Sequence, residues 1–379
     1  MIFKVLHDSL ISDNGSVSFF VSISVDFNTS EIIMKQKTSV SLIFILAALL
    51  LAACNSEESA QQKAAQALVS GDYASAEEIA NASLSATGAQ KSLYRIKGIA
   101  LLGAGEYQRA AEAFKSALSC SNGLVDQTDI DVSYYLAVAE YKCADYDAAL
   151  DTANAVCDIR PKDDGAFFLR GKIYLSMDKK DEALADFDRS VKLAPDNYDR
   201  FVGIYEELHA KGYDAQAAGY LEKAMAEGSR LSDYNKGVME YYLGSYTDAR
   251  SDLENARKKD TNEKLILYLG KTYEALGDDG YAVTLYEDYI RQNSSAGKIY
   301  EQLVTCQMKK GDYEQALETI EAGLSLGAKD GQKGMMFDRI VAHEMLYEFD
   351  EAKKYMDEYI KLYPDDEVAL RENVFLSSR

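Results

Sequence analysis

A chain of 379 residues with 62 acidic and 41 basic side chains carries a formal charge of −21 at pH 7. A surface of that sign repels nucleic acid and anionic phospholipid, so neither is held by charge. Residues 1–33 contain Asp8, Asp13, Asp26 and Glu31 and no helical periodicity; Met34-Lys35-Gln36-Lys37-Thr38-Ser39 and an apolar run from Val40 to Leu51 follow. A short basic start, a hydrophobic stretch and then small residues have the form of a secretory signal, which normally begins a chain. Met34 is therefore expected to be the real start, with residues 1–33 a spurious upstream extension. The run is too short for a comfortable membrane span of ~20 apolar residues.

The signal closes on Leu51-Ala52-Ala53-Cys54, which resembles the bacterial lipobox. That resemblance implies that residues 34–53 are removed, that the Cys54 thiol receives a diacylglycerol and that Cys54 becomes the new N-terminus. Residues 54–58 are then a lipidated tether. Past Cys54 the charge stays at −20, with 58 acidic and 38 basic residues, so membrane attachment is expected from the lipid and not from a basic patch. Each buried acyl methylene contributes ~0.8 kcal/mol.

From residue 59 to 364 nine alanines recur every 32–39 residues: Ala76, Ala110, Ala149, Ala183, Ala217, Ala249, Ala282, Ala316 and Ala352. Three positions earlier stand Tyr73, Tyr107, Tyr146, Tyr246, Tyr313 and Phe349, and five positions earlier Gly71, Gly105, Gly212, Gly244, Gly277 and Gly311. The only prolines, Pro161, Pro195 and Pro364, each fall twelve residues after an alanine of the series. In Gly105–Ala117 the glycine ends one helix, and Tyr107, Ala110, Phe114 and Ala117 share a face of the next. Tyr94, Gly98 and Leu101 supply the matching face upstream. Each proline stops a second helix where the chain turns into the following unit.

This pattern resembles the tetratricopeptide repeat, a helix–turn–helix unit that stacks into a solenoid. The resemblance implies an all-α fold of about nine units in a right-handed superhelix over residues 59–364. The family's small position 8 is held by Gly98, Ala137, Gly171, Gly237 and Gly270; Tyr205, Val304 and Ile340 depart from it and are expected to widen the helix spacing. Five extra residues around Ser119–Thr128 read as a longer loop. Residues 365–379 fit a C-terminal capping helix, with Val368, Ala369 and Phe375 expected to face inward.

Cys143 and Cys157 stand a helix length apart and cannot bridge; Cys120 and Cys157 end neighbouring second helices, which leaves a disulfide open. No zinc spacing links the cysteines. Gly323-Leu324-Ser325-Leu326-Gly327 has the pattern of a nucleophile elbow but ends a repeat's second helix, where no strand precedes it. His343-Glu344-Met345-Leu346-Tyr347 carries Tyr347 where a zinc protease needs its second histidine, and Gly270-Lys271-Thr272 is preceded by Leu265 where a phosphate loop needs glycine. The reading is therefore non-enzymatic, with no cofactor apart from the lipid and no metal.

In the family that the repeats resemble, first helices line a concave face at positions 2, 5, 9 and 12 and take partner peptides or helices. Those positions include Tyr134, Tyr141, Phe168, Lys172, Glu206, Tyr234, Tyr241, Lys264, Lys271 and Lys298. The lysine/asparagine carboxylate clamp of one subgroup is not matched, since Arg95 is followed by Ile99. The expected function is a membrane-anchored extracytoplasmic scaffold of the bacterial cell envelope that binds a protein or peptide. It looks like the repeat lipoproteins that assist envelope assembly. The alternative is a glycan-binding lipoprotein of a polysaccharide-uptake system, although such proteins carry long insertions and usually tryptophan, and this chain has no tryptophan.

Overall fold

The computed structural model describes residues 60–87, 90–228, 230–326, 331–364 and 366–379. Residues 1–33, the signal at 34–53 and the tether with Cys54 lie outside the described residues. Among those described, every regular element is a helix. To residue 194 and from residue 195 the chain forms two compact units.

The first unit holds four helix pairs: α1 (Ala60–Val69) with α2 (Tyr73–Thr87), α3 (Lys91–Gly103) with α4 (Tyr107–Ser119), α5 (Gln127–Lys142) with α6 (Tyr146–Ile159), and α7 (Asp164–Ser176) with α8 (Lys180–Leu193). The second holds five: α9 (Tyr198–Ala210) with α10 (Asp214–Glu227), α11 (Asp233–Tyr242) with α12 (Tyr246–Arg257), α13 (Glu263–Ala275) with α14 (Asp279–Gln292), α15 (Gly297–Lys310) with α16 (Tyr313–Ser325), and α17 (Gln332–Met345) with α18 (Phe349–Leu362). A terminal helix, α19 (Glu367–Ser377), follows. Within each unit a helix packs mainly on its neighbours in sequence, so the apolar cores are local and successive. Each unit is an all-α stack of helix pairs, the arrangement that the repeat resemblance implies.

The alanine frame is the seam of each pair. All nine alanines are 0 % exposed. One turn further along the second helix a larger side chain lies over position 8 of the first. Phe114 covers Gly98, Phe187 covers Gly171, Leu253 covers Gly237 and Tyr286 covers Gly270, each leaving no room for a Cβ. Where position 8 is larger, Val304 shares one cluster with Ile320 and Ile340 another with Met356, all fully buried. Tyr205 instead aims at the next first helix, donating its hydroxyl to the Tyr242 carbonyl at 2.9 Å.

The turn inside each pair has one backbone solution. The residue five before the alanine is left-handed in all nine, with glycine in six of them (φ 70–86°) and Ala144, Asp178 and Tyr347 in the others (φ 58–63°). That conformation lets amides past the helix end reach its last carbonyls, as Asp145 N–H does to the Glu140 carbonyl at 3.0 Å. The second helices ahead of the prolines stop at Ile159, Leu193 and Leu362. The residue before each proline leaves the helical region, with φ from −117° to −133° and ψ of 65–70°, because the pyrrolidine ring crowds the helical conformation there.

The long loop runs from Cys120 to Asp126 and is tied down at its end. Asp126 and Asp129 form a reciprocal cap on α5 at 2.8 and 2.9 Å, Lys91 reaches both carboxylates at 2.7 Å, and the Ser121 hydroxyl donates to Asp129. Burial acts to raise the Asp129 carboxyl, and the hydrogen bonds from the Asp126 amide, Lys91 and Ser121 outweigh it, so its pKa lies below the ordinary value.

Helix α19 corrects one expectation. Its inward stripe is Ala369 and Leu376, both fully buried and seven residues apart, whereas Val368 is 53 % and Phe375 40 % exposed. The stripe follows the helical period, which puts Val368 and Phe375 beside it rather than on it. Cys120, Cys143, Cys157 and Cys306 are free thiols, and burial pushes that of Cys157 up to about 11.

Candidate protein-binding face on the first helices

In the first unit, three of the residues singled out by position meet on α5 and α7. The Lys172 ammonium stands 5.4 Å from the Tyr141 ring centroid and 5.6 Å from that of Phe168. Tyr141 is half-buried and accepts from the Ser176 hydroxyl at 3.4 Å. Phe168 is only 7 % exposed and packs on Phe187 at 5.8 Å, so its ring serves the seam between α7 and α8. Tyr134 points its hydroxyl at the Gly165 carbonyl, 3.5 Å away.

The second unit concentrates aromatic surface on α9, α11 and α13. Tyr241 lies 5.5 Å from Tyr242, 5.8 Å from Tyr268 and 5.8 Å from Tyr246. The Tyr242 hydroxyl donates to Glu206 and stands 3.0 Å from the Tyr268 hydroxyl; its ring is 5.1 Å from Tyr205, which stacks on His209. Tyr234 packs in the same cluster. Burial, then neighbouring tyrosines and carboxylates, raise Tyr234, Tyr241, Tyr242 and Tyr268 above the usual phenol range. These rings therefore stay neutral and act as amphipathic hydrogen-bonding plates.

The lysines are spread out. Lys264 is exposed, 3.9 Å from Asp199. Lys271 is half-buried on α13, and Lys298 is exposed on α15, its amide bonded to Glu263 at 3.2 Å. Position in the repeat thus finds Glu206, Tyr234 and Tyr241 but misses Tyr205, Tyr242 and Tyr268, which complete the cluster. The sequence signal for the first was its misfit at position 8. The other two lie one residue away from the positions counted as lining.

The motifs that resemble catalytic sites in sequence are built into the repeats. Ser325 is the last residue of α16, in a helix rather than after a strand, and His343 is held by Glu348 at 2.7 Å and stacked on Tyr355. No cluster of metal-ligating side chains occurs among the described residues, and none of their helices is long and apolar enough to cross a membrane.

Residues 47–124, 165–197 and 336–366 match family models described as tetratricopeptide repeat, and residues 130–180 match the Fis1 C-terminal tetratricopeptide repeat. Among solved structures the chain is similar to MamA 41-end from Desulfovibrio magneticus RS-1, with 22 % identity, 46 % of this chain and 96 % of that chain covered, and a TM-score of 0.40. A tetratricopeptide repeat protein from Parabacteroides merdae ATCC 43184 is 14 % identical, with 65 % and 98 % covered and a TM-score of 0.41. No curated protein matches. Nine buried alanines, nine left-handed turns and four repeat-model matches agree, and the chain belongs to the tetratricopeptide repeat proteins.

Proposed function

We propose that this interaction scaffold is anchored to the outer face of a bacterial membrane by a diacylglycerol on Cys54, and that it binds a protein or peptide partner across its first helices in the course of envelope assembly. The observation that carries the binding face is the tyrosine cluster on α9, α11 and α13. Half-buried, neutral rings that keep hydrogen-bonding hydroxyls are the side chains that anchor protein interfaces at low entropic cost. The anchor rests on the signal-like segment at 34–53 and its closing cysteine. Glycan capture is disfavoured by the absence of tryptophan, whose broad ring is the usual sugar platform.

Two substitutions test the two halves separately. Cys54→Ser abolishes incorporation of labelled fatty acid and leaves a larger precursor; unchanged labelling and size would remove the anchor. Tyr234→Ala with Tyr241→Ala weakens partner capture by at least ~2 kcal/mol with helicity retained, and unchanged capture would remove the face.

A further inference from the structure

A second recessed site lies between the second helices α14 and α16, floored by α15, with a volume of about 410 Å³. Its floor is Tyr300, Leu303 and Gln307, spaced i, i+3, i+7 on a stripe of α15 distinct from the one that carries Lys298. Gln307 is 3 % exposed, and its side-chain oxygen is buried with no hydrogen-bond partner. An acceptor left in that state is a standing cost to the fold unless a donor arrives with a ligand.

The surroundings specify the donor. Glu287 on α14 and Glu318 on α16 line the cleft, and neither is in an ion pair among the described residues. Arg291, which also lines it, is already paired with Asp288. The local field is therefore negative and favours a cationic N–H. Leu303, Tyr300 and Ile290 offer apolar wall for a methylene stem below that head.

We propose that this cleft receives a lysine or arginine side chain of a basic protein partner, its stem lying on Ile290 and Leu303 and its cationic head between Glu287 and Glu318, where the Gln307 amide turns its buried oxygen outward to accept from it. A partner of that charge is also steered by the net −21 of the chain. The site is separate from the first-helix face and does not rest on it.

The test is a fluorine-NMR titration of the whole chain with a blocked, fluorine-tagged pentapeptide carrying one central lysine, with its norleucine counterpart, and with free cadaverine in competition. The lysine peptide binds. Norleucine in place of lysine weakens binding about tenfold, as loss of one charge-assisted hydrogen bond requires, and Gln307→Leu does the same. Glu318→Lys, at an exposed position that does not threaten folding, weakens it at least as much. Absence of lysine-peptide binding, equal binding of the norleucine peptide, or unchanged affinity in Glu318→Lys overturns the proposal. Cadaverine binding as tightly as the peptide overturns the protein partner in favour of a free amine.

Discussion

The ring of Tyr286 lies so close to the Cα of Gly270 that a Cβ there would overlap three of its ring and hydroxyl atoms. Tyr286 is fully buried and its hydroxyl donates to Glu274 at 2.7 Å, so the ring is held at its far end and cannot swing away cheaply. Gln302 donates to the same carboxylate at 3.2 Å, which ties the next first helix to this pair. One glycine thus sets how closely α13 and α14 approach and, through Glu274, how α15 joins them.

Gly270→Ala is accordingly expected to destabilise the second unit by about 1–3 kcal/mol, the usual cost of an extra methyl in a filled seam. Urea unfolding followed by circular dichroism checks it. An unchanged midpoint would mean that the seam is looser than the Tyr286 contact requires.

Tyr347→Gly should act in the opposite direction. Tyr347 is left-handed at φ 63° and 82 % exposed, so glycine relieves backbone strain while giving up little packing. A gain of about 1 kcal/mol follows, and Ala144→Gly, at φ 59°, should give a similar one. Loss of stability in both variants would contradict the common turn geometry.

The far end of the second unit should lose stability as pH rises. Burial first, and Glu372 beside it, raise the Glu344 carboxyl from 4.5 to about 7; burial and then Glu301 raise Asp338 from 3.8 to about 6. An acid whose pKa is higher in the folded state holds more protons folded than unfolded. Stability therefore falls with rising pH between the unfolded and folded values, here from about 4 to 7. Asp366 runs the other way: Lys333, the Ala369 amide and Tyr359 hold it well below the usual range, and its contribution is lost only on strong acidification. Glu344→Gln should raise the midpoint at pH 8, leave it nearly unchanged at pH 4.5, and so flatten the slope. A parallel shift at both pH values would show that the Glu344 carboxyl is not the cause.

Much of this fold was legible because a repeat writes its packing in one frame. Ala249 or Gly270 alone says little, but nine alanines in phase mark a seam, and glycine five positions ahead marks a left-handed turn. Ala144, Asp178 and Tyr347 adopt the same turn without the residue that signals it, since tertiary packing outweighs their local preference. The binding face was legible only as a set of positions. Phase says that Phe168 lies on a first helix, yet not that its ring turns into the seam against Phe187. Nor does it reveal that Tyr242 bridges Glu206 and Tyr268, because side-chain ends respond to neighbours a whole repeat away. The lone oxygen of Gln307 had no sequence signal at all.

The central claim, that partners lie across the first helices, is tested most directly by site-specific photo-crosslinking. A photoreactive amino acid is placed in turn at Lys264, Lys271 and Lys298 on first helices and at Gln216 and Ser251, which are exposed on second helices away from the α14–α16 cleft. The account predicts that one and the same partner crosslinks from the three first-helix positions, that the yield falls when Tyr234 and Tyr241 are both alanine, and that Gln216 and Ser251 give only background. Crosslinking of that partner from Gln216 or Ser251, with background from all three lysine positions, would contradict it.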